Sequence, residues 1–336
     1  MGNANDGESA RTVVAVGASA GGVEALSSFV AGLPADLPHA VLVVLHLPIG
    51  AASVLARILD RRGPLRARAA VHGAPLQPGV IDVAVPGYHL LVDDGRLVLT
   101  DGPTENGHRP AVNALFRSVA LAYGPRAVGI LLSGVLDDGV HGLGAIHARG
   151  GTTVAQSPHD ALFADMPHNA IRAGVVDHQL AAAEMGELLG RWTPRLLPDP
   201  LDHDPGLELE NQIAMAGRFA GGFDAEILGT PSGYSCPDCN GPLVTISDTT
   251  YRCRVGHAWT ADALLNARDG EIENALWIAV RSLQEKAKLS RRLAEEVPTG
   301  MLHDRYTALS EEAEHAITVL GNRLYGVYLR QAQPEG

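Results

Sequence analysis

This sequence has few cysteines and no long apolar run. Only three cysteines occur in 336 residues, and all of them lie between positions 236 and 253. An odd and tightly clustered set does not look like a disulfide framework. No uninterrupted apolar stretch is long enough to cross a bilayer, and residues 1–11 lack the basic start and apolar centre of a signal peptide. We therefore expect a cytoplasmic protein that does not insert into a membrane.

Basic residues are in the minority. Lys and Arg number 26 against 38 Asp and Glu, which gives a formal net charge of -12. A protein that tracks nucleic-acid phosphates would concentrate Lys and Arg on one face, so nucleic acid is not expected as a partner. The length and the hydrophobic fraction of 46% allow a full-sized α/β core and a second, smaller module.

Short β-branched runs alternate with helix-compatible segments in the first half of the chain. This alternation is typical of βαβ units and predicts an α/β fold with a doubly wound, mainly parallel sheet. The hydrophobic pattern predicts strands at residues 13–16, 41–45, 80–85, 128–132, 152–155 and 175–176. It predicts helices at residues 22–31, 53–62, 112–123, 142–149 and 180–189. Residues 88–99 predict an antiparallel hairpin, because Asp94-Gly95 is a favoured two-residue turn.

The rest of the chain divides into a linker, a cysteine-bearing module and two helices. Prolines and acidic residues are frequent at 196–205, so we expect a first domain at residues 12–195 and a linker with a short helix at 196–230. The cysteines fall in a small module predicted at 231–268. A helical hairpin is predicted at 270–331, since apolar residues recur at helical spacing on both sides of Pro298-Thr299-Gly300.

The sharpest local motif is Gly-Ala-Ser-Ala-Gly-Gly at residues 17–22, directly after a predicted strand and before a predicted helix. Such a turn can lift the hydroxyl of Ser19 to the carboxyl end of the sheet, where backbone N–H groups of the helix N-terminus stabilise an oxyanion. Glycine-rich turns of this kind also cradle phosphates in dinucleotide folds. From this segment alone, a nucleophile, a phosphate cradle and a plain structural turn all stay open.

A serine nucleophile needs a base, and His46 lies at the end of the second predicted strand. Consecutive parallel strands are often neighbours, which can bring His46 within hydrogen-bond reach of Ser19. Asp137 and Asp138 follow another predicted strand and supply a carboxylate that could orient the imidazole. Either aspartate could instead cap the next helix.

Several segments together resemble a known family. They are residues 16–22, 45–48, 84–87, 108–116 and 131–139, with a weaker match over 155–167. In these segments, which cover about residues 12–189 in the family's order, the chain resembles the catalytic domain of CheB-type protein-glutamate methylesterases. The set is far more specific than any one motif.

The resemblance implies a serine hydrolase with Ser19, His46 and Asp138 as its triad. Asp138 is assigned in preference to Asp137 because the family's aspartate immediately precedes a glycine. The implied reaction is demethylation of glutamate methyl esters on chemoreceptor-like or other signalling proteins, with release of methanol and without a catalytic cofactor. The same site would also convert glutamine side chains to glutamate, since both reactions share an acyl-enzyme. Chemotaxis and signal transduction are the implied setting.

The chain departs from the family pattern at three positions. Val135 and Asp137 stand where the family usually has Met and Asn, and Asn113 stands where it has Asp. An extra carboxylate at Asp137 would raise the local negative charge. Family members involved in chemotaxis often carry an N-terminal receiver domain, whereas the first strand here is predicted from residue 12, so control by phosphorylation in cis is not expected.

The cysteine cluster has the spacing of a metal site. Cys236 and Cys239 form a Cys-x2-Cys pair, and after thirteen intervening residues Cys253 and His257 form a Cys-x3-His pair. Two such turns can close a tetrahedral shell around a structural Zn²⁺ ion, with His257 indispensable as the fourth ligand. A redox pair and inert buried thiols are the alternatives. This zinc-ribbon tail resembles those of CheB-like proteins that lack the receiver.

Two rival functions remain beside the hydrolase. A nucleotide-binding oxidoreductase would use the glycine turn, but His46 stands where an acidic ribose ligand is expected. A degenerate esterase could serve as a signalling scaffold that acts through the zinc ribbon and the helical hairpin. The hairpin is expected to bind a partner or a second copy of the chain, giving a homodimer. Because the ribbon lies beyond the linker, residues 1–195 are expected to suffice for catalysis.

Overall fold

The computed structural model describes residues 12–47, 50, 54–194, 204–215 and 229–331. The chain forms two compact units, Met1–Leu264 and Leu265–Gly336. Most of the predicted linker, residues 196–203 and 216–228, lies outside the described residues, as does residue 53 at the start of a predicted helix. Between the two linker segments a helix spans Pro205–Met215, where a short helix was expected.

The described residues contain these strands: β1 (Val13–Ala18), β2 (Ala40–Leu45), β3 (Arg66–Ala69), β4 (Val80–Val83), β5 (His89–Asp93), β6 (Arg96–Thr100), β7 (Ala127–Leu131), β8 (Thr152–Gln156), β9 (His178–Leu180), β10 (Thr230–Ser235), β11 (Pro242–Ser247), β12 (Thr250–Cys253) and β13 (Ala258–Thr260). The α-helices are α1 (Gly22–Ala31), α2 (Leu55–Arg62), α3 (Val112–Tyr123), α4 (Val140–Ala148), α5 (Asp165–Arg172), α6 (Met185–Arg191), α7 (Pro205–Met215), α8 (Ala261–Glu295) and α9 (Met301–Gln331).

A seven-stranded sheet forms the centre of the first unit. Its order is β3-β4-β2-β1-β7-β8-β9, and every pairing in it is parallel. All residues of β1, β2, β7 and β8 are buried, as expected for strands covered on both faces by helices. The predicted doubly wound α/β fold is confirmed.

Two sheet-edge strands differ from the sequence prediction. β3 was not predicted, because its sequence Arg-Ala-Arg-Ala lacks the β-branched residues that mark a buried strand. The last strand is His178–Leu180, two residues beyond the predicted 175–176. Val175 and Val176 are apolar because they pack against the core beside the sheet. The helix predicted at 180–189 consequently begins later, at Met185.

The hairpin predicted at residues 88–99 is confirmed as β5 and β6. Its turn residues Asp94 and Gly95 both have positive φ angles, 44° and 69°, as the favoured two-residue turn requires. The hairpin forms a separate two-stranded antiparallel sheet and does not join the parallel sheet. One face of it packs against α3.

The cysteine module, here called the ribbon, is the four-stranded antiparallel sheet β10-β11-β12-β13. It belongs to the same compact unit as the parallel sheet. α8 begins at Ala261, directly after β13, and runs without a break through residues 268–270. The predicted boundary between module and hairpin therefore falls inside a helix, which continues through the turn-forming pair Asp269-Gly270.

The second unit consists of most of α8 together with α9. The helices end and restart around Pro298-Thr299-Gly300, as predicted. Small side chains line their contact, where Ala287, Ala294 and Ala313 are buried and Ser310 donates a hydrogen bond to the carbonyl oxygen of Ala287. Ile272, one of the apolar residues of α8, is 58% exposed. No described helix is long and apolar enough to cross a membrane.

Candidate active site

The carboxyl ends of three neighbouring strands meet at the candidate site. In the sheet, β1 lies between β2 and β7. Ser19 directly follows β1, His46 directly follows β2, and Asp138 lies in the loop after β7. Because the carboxyl ends of parallel strands lie on one edge of the sheet, these side chains converge there. The structure thus brings together the three residues that the sequence analysis singled out.

Ser19 stands in a tight turn between β1 and α1. Gly21 precedes α1 with a φ angle of 67°, in the left-handed region that glycine adopts readily. The backbone N–H of Ser19 donates to the carbonyl oxygen of Ser133 at 2.9 Å, which fixes the turn to the loop after β7. In that loop a Cβ at Gly134 would lie 2.0 Å from Sδ of Met166 and 2.9 Å from Cβ of Ser19, so only glycine fits. The serine hydroxyl is thereby held at a helix N-terminus.

His46 connects the hydroxyl with the carboxylate. Its Nδ1 lies 3.1 Å from Oγ of Ser19, and its Nε2 lies 2.6 Å from Oδ2 of Asp138. An ionised carboxylate only accepts hydrogen bonds, so Nε2 carries the proton and Nδ1 accepts the hydroxyl proton of Ser19. The glycine turn therefore presents its serine to a base, which does not favour the phosphate-cradle alternative.

Asp138 is buried, with 3% of its surface exposed. Its carboxylate accepts hydrogen bonds from the backbone N–H groups of Val112 and Asn113, at the start of α3, and of Gly139. Burial by itself raises the pKa of this carboxyl, but the hydrogen bond and positive charge of His46 and the N–H of Val112 lower the pKa to about 2. At neutral pH an ionised carboxylate thus faces the imidazole.

Asn113 has a role that the sequence analysis did not assign. Its side-chain Oδ1 accepts the backbone N–H of Gly139 at 3.1 Å and that of Gly142 at 2.8 Å. These bonds cap the start of α4 and tie it to α3. An aspartate, the family's usual residue here, offers the same acceptors. The departure from the family pattern therefore preserves the cap beside Asp138.

His108 is a second residue of the site with no role assigned from sequence. Its ring stacks on that of His46, with centroids 3.9 Å apart and planes 10° from parallel. Burial, followed by the positive charge of His46, lowers the pKa of His108 to about 4. The ring is therefore neutral at pH 7. Only the family match over 108–116 marked this segment, because nothing in the local sequence indicates which side chain it will contact.

Asp137, the other candidate carboxylate, points away from the imidazole. Its Oδ1 accepts a hydrogen bond of 2.7 Å from the hydroxyl of Thr260, in the ribbon. Burial raises the pKa of the Asp137 carboxyl to about 6, and the charges of Asp138 and Asp262 act in the same direction, while the Thr260 hydroxyl opposes them. The two neighbouring aspartates thus have separate partners.

The ribbon gathers the four residues predicted as metal ligands. One ligand atom from each of Cys236, Cys239, Cys253 and His257 lies within 4.8 Å of the others. The Sγ atoms of Cys239 and Cys253 are 3.7 Å apart, and Nδ1 of His257 lies 3.6 Å and 3.5 Å from Sγ of Cys236 and of Cys253. A tetrahedral site with sulfur at about 2.3 Å and nitrogen at about 2.0 Å would place two sulfurs about 3.8 Å apart and a sulfur and a nitrogen about 3.5 Å apart. The donor set therefore fits a metal ion.

The candidate site has the arrangement that serine hydrolases use: a serine hydroxyl, an imidazole and a buried carboxylate linked in series by hydrogen bonds. The family model described as "CheB methylesterase" matches residues 14–189. The chain belongs to the CheB methylesterase family. Its match covers the parallel sheet and the site, and it ends before the ribbon.

Curated relatives and a solved structure agree with this assignment. A "Protein-glutamate methylesterase/protein-glutamine glutaminase 3" of Anaeromyxobacter dehalogenans is 45% identical over 185 residues, which are 54% of this chain and 54% of the relative. A relative of the same activity name from Methanosarcina mazei is 35% identical over 53% of this chain and 51% of its own length. The chain thus spans about half the length of these relatives.

One solved structure that the chain matches is the "Crystal structure of Thermotoga maritima CheB methylesterase catalytic domain". It is 29% identical, has a TM-score of 0.51, and covers 53% of this chain and 96% of the matched chain. The match therefore spans almost the whole of that domain, and the two share its fold.

Proposed function

We propose that this protein is a serine hydrolase that demethylates glutamate methyl esters on proteins. The observation that carries the proposal is the hydrogen-bonded series Ser19, His46 and Asp138 at adjacent strand ends. Membership of the CheB methylesterase family and the names of the relatives supply the reaction class. A degenerate scaffold would have no need to keep these three groups in register, so the scaffold alternative is less favoured.

In the first half of the proposed reaction, Oγ of Ser19 attacks the γ-ester carbonyl carbon while Nδ1 of His46 takes the hydroxyl proton. The carboxylate of Asp138 stabilises the imidazolium that forms. Backbone N–H groups at the start of α1 stabilise the negative oxygen of the tetrahedral intermediate. As the C–O bond to the methoxy group breaks, His46 returns the proton to the leaving oxygen, which departs as methanol. A glutamyl ester on Ser19 remains.

In the second half, His46 takes a proton from a water molecule that attacks this ester. The tetrahedral intermediate collapses with the proton passing to Oγ of Ser19, which releases the glutamate side chain and restores the enzyme. No step needs a cofactor. A glutamine side chain would give the same acyl-enzyme with ammonia as the leaving group, and the relatives are named for both reactions.

The proposed substrate is a methylated signalling protein of the chemoreceptor kind, which would place the enzyme in chemotaxis or a related signalling pathway. The family resemblance supports this substrate class. Mass spectrometry of methylated cellular proteins, with and without the enzyme, would identify the substrate by the methyl esters that accumulate when the enzyme is missing.

The metal proposed for the ribbon is a structural Zn²⁺ ion held by Cys236, Cys239, Cys253 and His257. A Cys3His set is typical of closed zinc sites, in which all four positions are protein ligands. The ion would hold the two ligand turns of the ribbon together. It lies outside the proposed reaction.

A homodimer through the C-terminal helices is also proposed. Large apolar side chains on α8 stay accessible, among them Ile272, Trp277, Ile278 and Leu289, each at least 47% exposed. Large apolar side chains that stay exposed favour burial against a second protein surface. An Ile272→Glu and Ile278→Glu double variant should then sediment with the mass of a monomer, whereas an unchanged mass would contradict the dimer.

The experiment that tests the proposed function follows the substrate itself. A protein carrying glutamate γ-methyl esters is incubated with the enzyme, and both its intact mass and the methanol released are measured. The wild type should remove methyl groups with an equal yield of methanol, and Ser19→Ala should remove almost none. Equal demethylation by both forms would refute the serine mechanism.

A further inference from the structure

The last strand of the ribbon, β13, pairs with the parallel-sheet domain as well as with its own sheet. On one side β13 pairs with β12. On the other side Ala258 forms a parallel bridge with Glu105, in the loop that leads to α3. Asn106 N–H donates to the carbonyl oxygen of Ala258 at 2.8 Å, and Ala258 N–H donates to that of Thr104 at 3.2 Å. The ribbon sheet is thus extended by a loop of the domain that carries the candidate site.

Buried charges hold the two parts together beneath this pairing. Arg117 of α3 and Arg252 of β12 are each 1% exposed, and they alternate with the buried carboxylates of Glu105 and Glu210. Arg117 Nη1 donates to Glu105 at 3.0 Å, and Arg252 Nη2 donates to Glu210 at 2.8 Å. Removing one partner of such a cluster leaves a buried charge uncompensated, so a substitution on either side disturbs the contact between ribbon and domain.

Thr260, at the end of β13, contacts two loops of the site at once. Its backbone N–H donates to Oδ1 of Asn106 at 2.8 Å, and its hydroxyl donates to Asp137 at 2.7 Å. Asn106 lies two residues before His108, whose ring stacks on His46. Asp137 immediately precedes Asp138, whose carboxylate accepts a hydrogen bond from Nε2 of His46. A single ribbon residue is therefore linked to both groups that position the imidazole.

The loop that carries Asp138 needs outside support. Leu136 has a φ angle of 62°, a left-handed conformation that is strained for a γ-branched side chain. The side-chain amide of Asn169 donates to the carbonyl oxygen of Leu136 at 2.8 Å, which supports the loop from α5. The hydroxyl of Thr260 supports the next residue, Asp137, from the ribbon side. These contacts hold the backbone that presents Asp138.

We propose that Thr260 is a positioning residue of the hydrolase: through Asn106 and Asp137, this ribbon residue holds the loops that present His108 and Asp138 to His46. Hydrolysis then depends on a folded ribbon, although no ribbon side chain touches the reacting atoms. The inference rests on the proposed hydrolase function and adds the device that couples the ribbon to it. A small displacement of a positioning group is enough to slow a reaction that relies on exact alignment.

The test uses the full-length chain and a set of matched variants. Thr260→Val keeps the shape of the side chain and removes the hydroxyl, and Thr260→Ser restores the hydroxyl. The hydroxyl oxygen of Thr260 also accepts a hydrogen bond from the N–H of Ala263 at 3.3 Å and so caps α8. Asp137→Ala removes the contact with the site loop and leaves this cap intact, so it separates the two effects. Thr249→Val, at an exposed ribbon position, is the control. Hydrolysis of p-nitrophenyl acetate gives kcat and KM, and the ¹⁵N and ¹H resonances of the His46 imidazole report its hydrogen bonds without turnover.

Loss of one hydrogen bond of ordinary strength should lower kcat of Thr260→Val about five- to tenfold, with KM changed less than about twofold. Asp137→Ala should show a similar loss, and the double variant should lose no more than either single variant, because both act through one contact. The His46 resonances should shift in Thr260→Val and return in Thr260→Ser. Thr249→Val should match the wild type.

Wild-type kcat together with wild-type His46 resonances in Thr260→Val would overturn the inference, as would additive losses in the double variant. Failure of the proposed function gives a different result, in which the wild type and Ser19→Ala hydrolyse the ester equally. In that case the His46 resonances alone decide whether Thr260 positions the imidazole, and unchanged resonances reject it.

Discussion

The ring of His108 lies flat on the ring of His46, with their centroids 3.9 Å apart. This contact covers one face of the imidazole that bridges Ser19 and Asp138, and so limits its rotation. The pKa of His108, lowered to about 4, keeps its ring uncharged at neutral pH. A neutral neighbour does not repel the imidazolium that forms on His46 during proton transfer.

A first prediction concerns this stack. His108→Ala should lower kcat for ester hydrolysis by roughly tenfold or more, because His46 loses the surface that aligns it. His108→Phe should retain most of the activity, since a flat uncharged ring can stack in the same place. Steady-state kinetics of the two variants at pH 7 are the measurement. An equal loss with Phe and with Ala would show that His108 acts through its nitrogen atoms and not through stacking.

The two adjacent aspartates should respond differently to the same substitution. Asp138→Asn presents an amide to Nε2 of His46 and disturbs the tautomer that the serine needs, so a loss of several orders of magnitude in kcat is expected. Asp137→Asn keeps an acceptor for the Thr260 hydroxyl and should stay within about fivefold of the wild type. The comparison uses kcat for one ester under one condition. If Asp137→Asn is the more damaging change, the carboxylate assignment is wrong.

The raised pKa of Asp137, about 6, predicts how stability depends on pH. Between about pH 4 and pH 6 the folded protein holds a proton on Asp137 that the unfolded chain has released. The stabilisation from this group is therefore complete at low pH and is lost as the pH rises through 6. The asparagine of Asp137→Asn does not titrate. The free energy of unfolding of this variant, minus that of the wild type, should therefore increase by roughly 1 to 2 kcal/mol from pH 4 to pH 7. This increase is smaller than the pKa shift of Asp137 alone would give, because the side chain is partly exposed.

Denaturant unfolding of both forms across this pH range measures that difference. The control is Asp304→Asn, at an exposed position of α9. A pH-independent difference between Asp137→Asn and the wild type would show that burial does not raise the pKa of Asp137.

Metal analysis of the purified chain should return about one zinc per chain, because the described residues contain one complete tetrahedral donor set. Cys236→Ser and His257→Ala should each lose most of it and unfold at a lower temperature. His303→Ala, which changes a histidine outside the cluster, should retain the full content. Zinc that persists in both ligand variants would place the metal elsewhere.

From the sequence one could predict which three side chains meet at the candidate site, but not the roles of His108 and Asn113 beside them. Ser19, His46 and Asp138 each follow an apolar strand, and the geometry of parallel sheets brings such positions to one edge. The glycine turn and the adjacent segments also carried the family resemblance. These signals are local, so they can be read without knowledge of the fold.

The contacts of the ribbon could not be predicted in the same way. Thr260 and Asp137 are 123 residues apart, and Arg252 lies 42 residues from Glu210. Nothing in either local sequence indicates its partner. Residues 1–195 are therefore expected from sequence to suffice for catalysis, whereas the contacts of Thr260 with both loops favour a loss of activity in that fragment. β9 escaped prediction for a related reason, since Val175 and Val176 are apolar through core packing and not through strand pairing.

The central claim is that Ser19 forms a covalent ester with the substrate's glutamate side chain. Rapid acid quenching during turnover of a glutamate γ-methyl ester peptide, followed by mass spectrometry of the Ser19-containing fragment, tests this claim most directly. The account predicts a glutamyl adduct on Ser19 that accumulates with release of methanol and is missing in Ser19→Ala. Methanol release at the wild-type rate from Ser19→Ala, with no adduct on the wild-type serine, would contradict it.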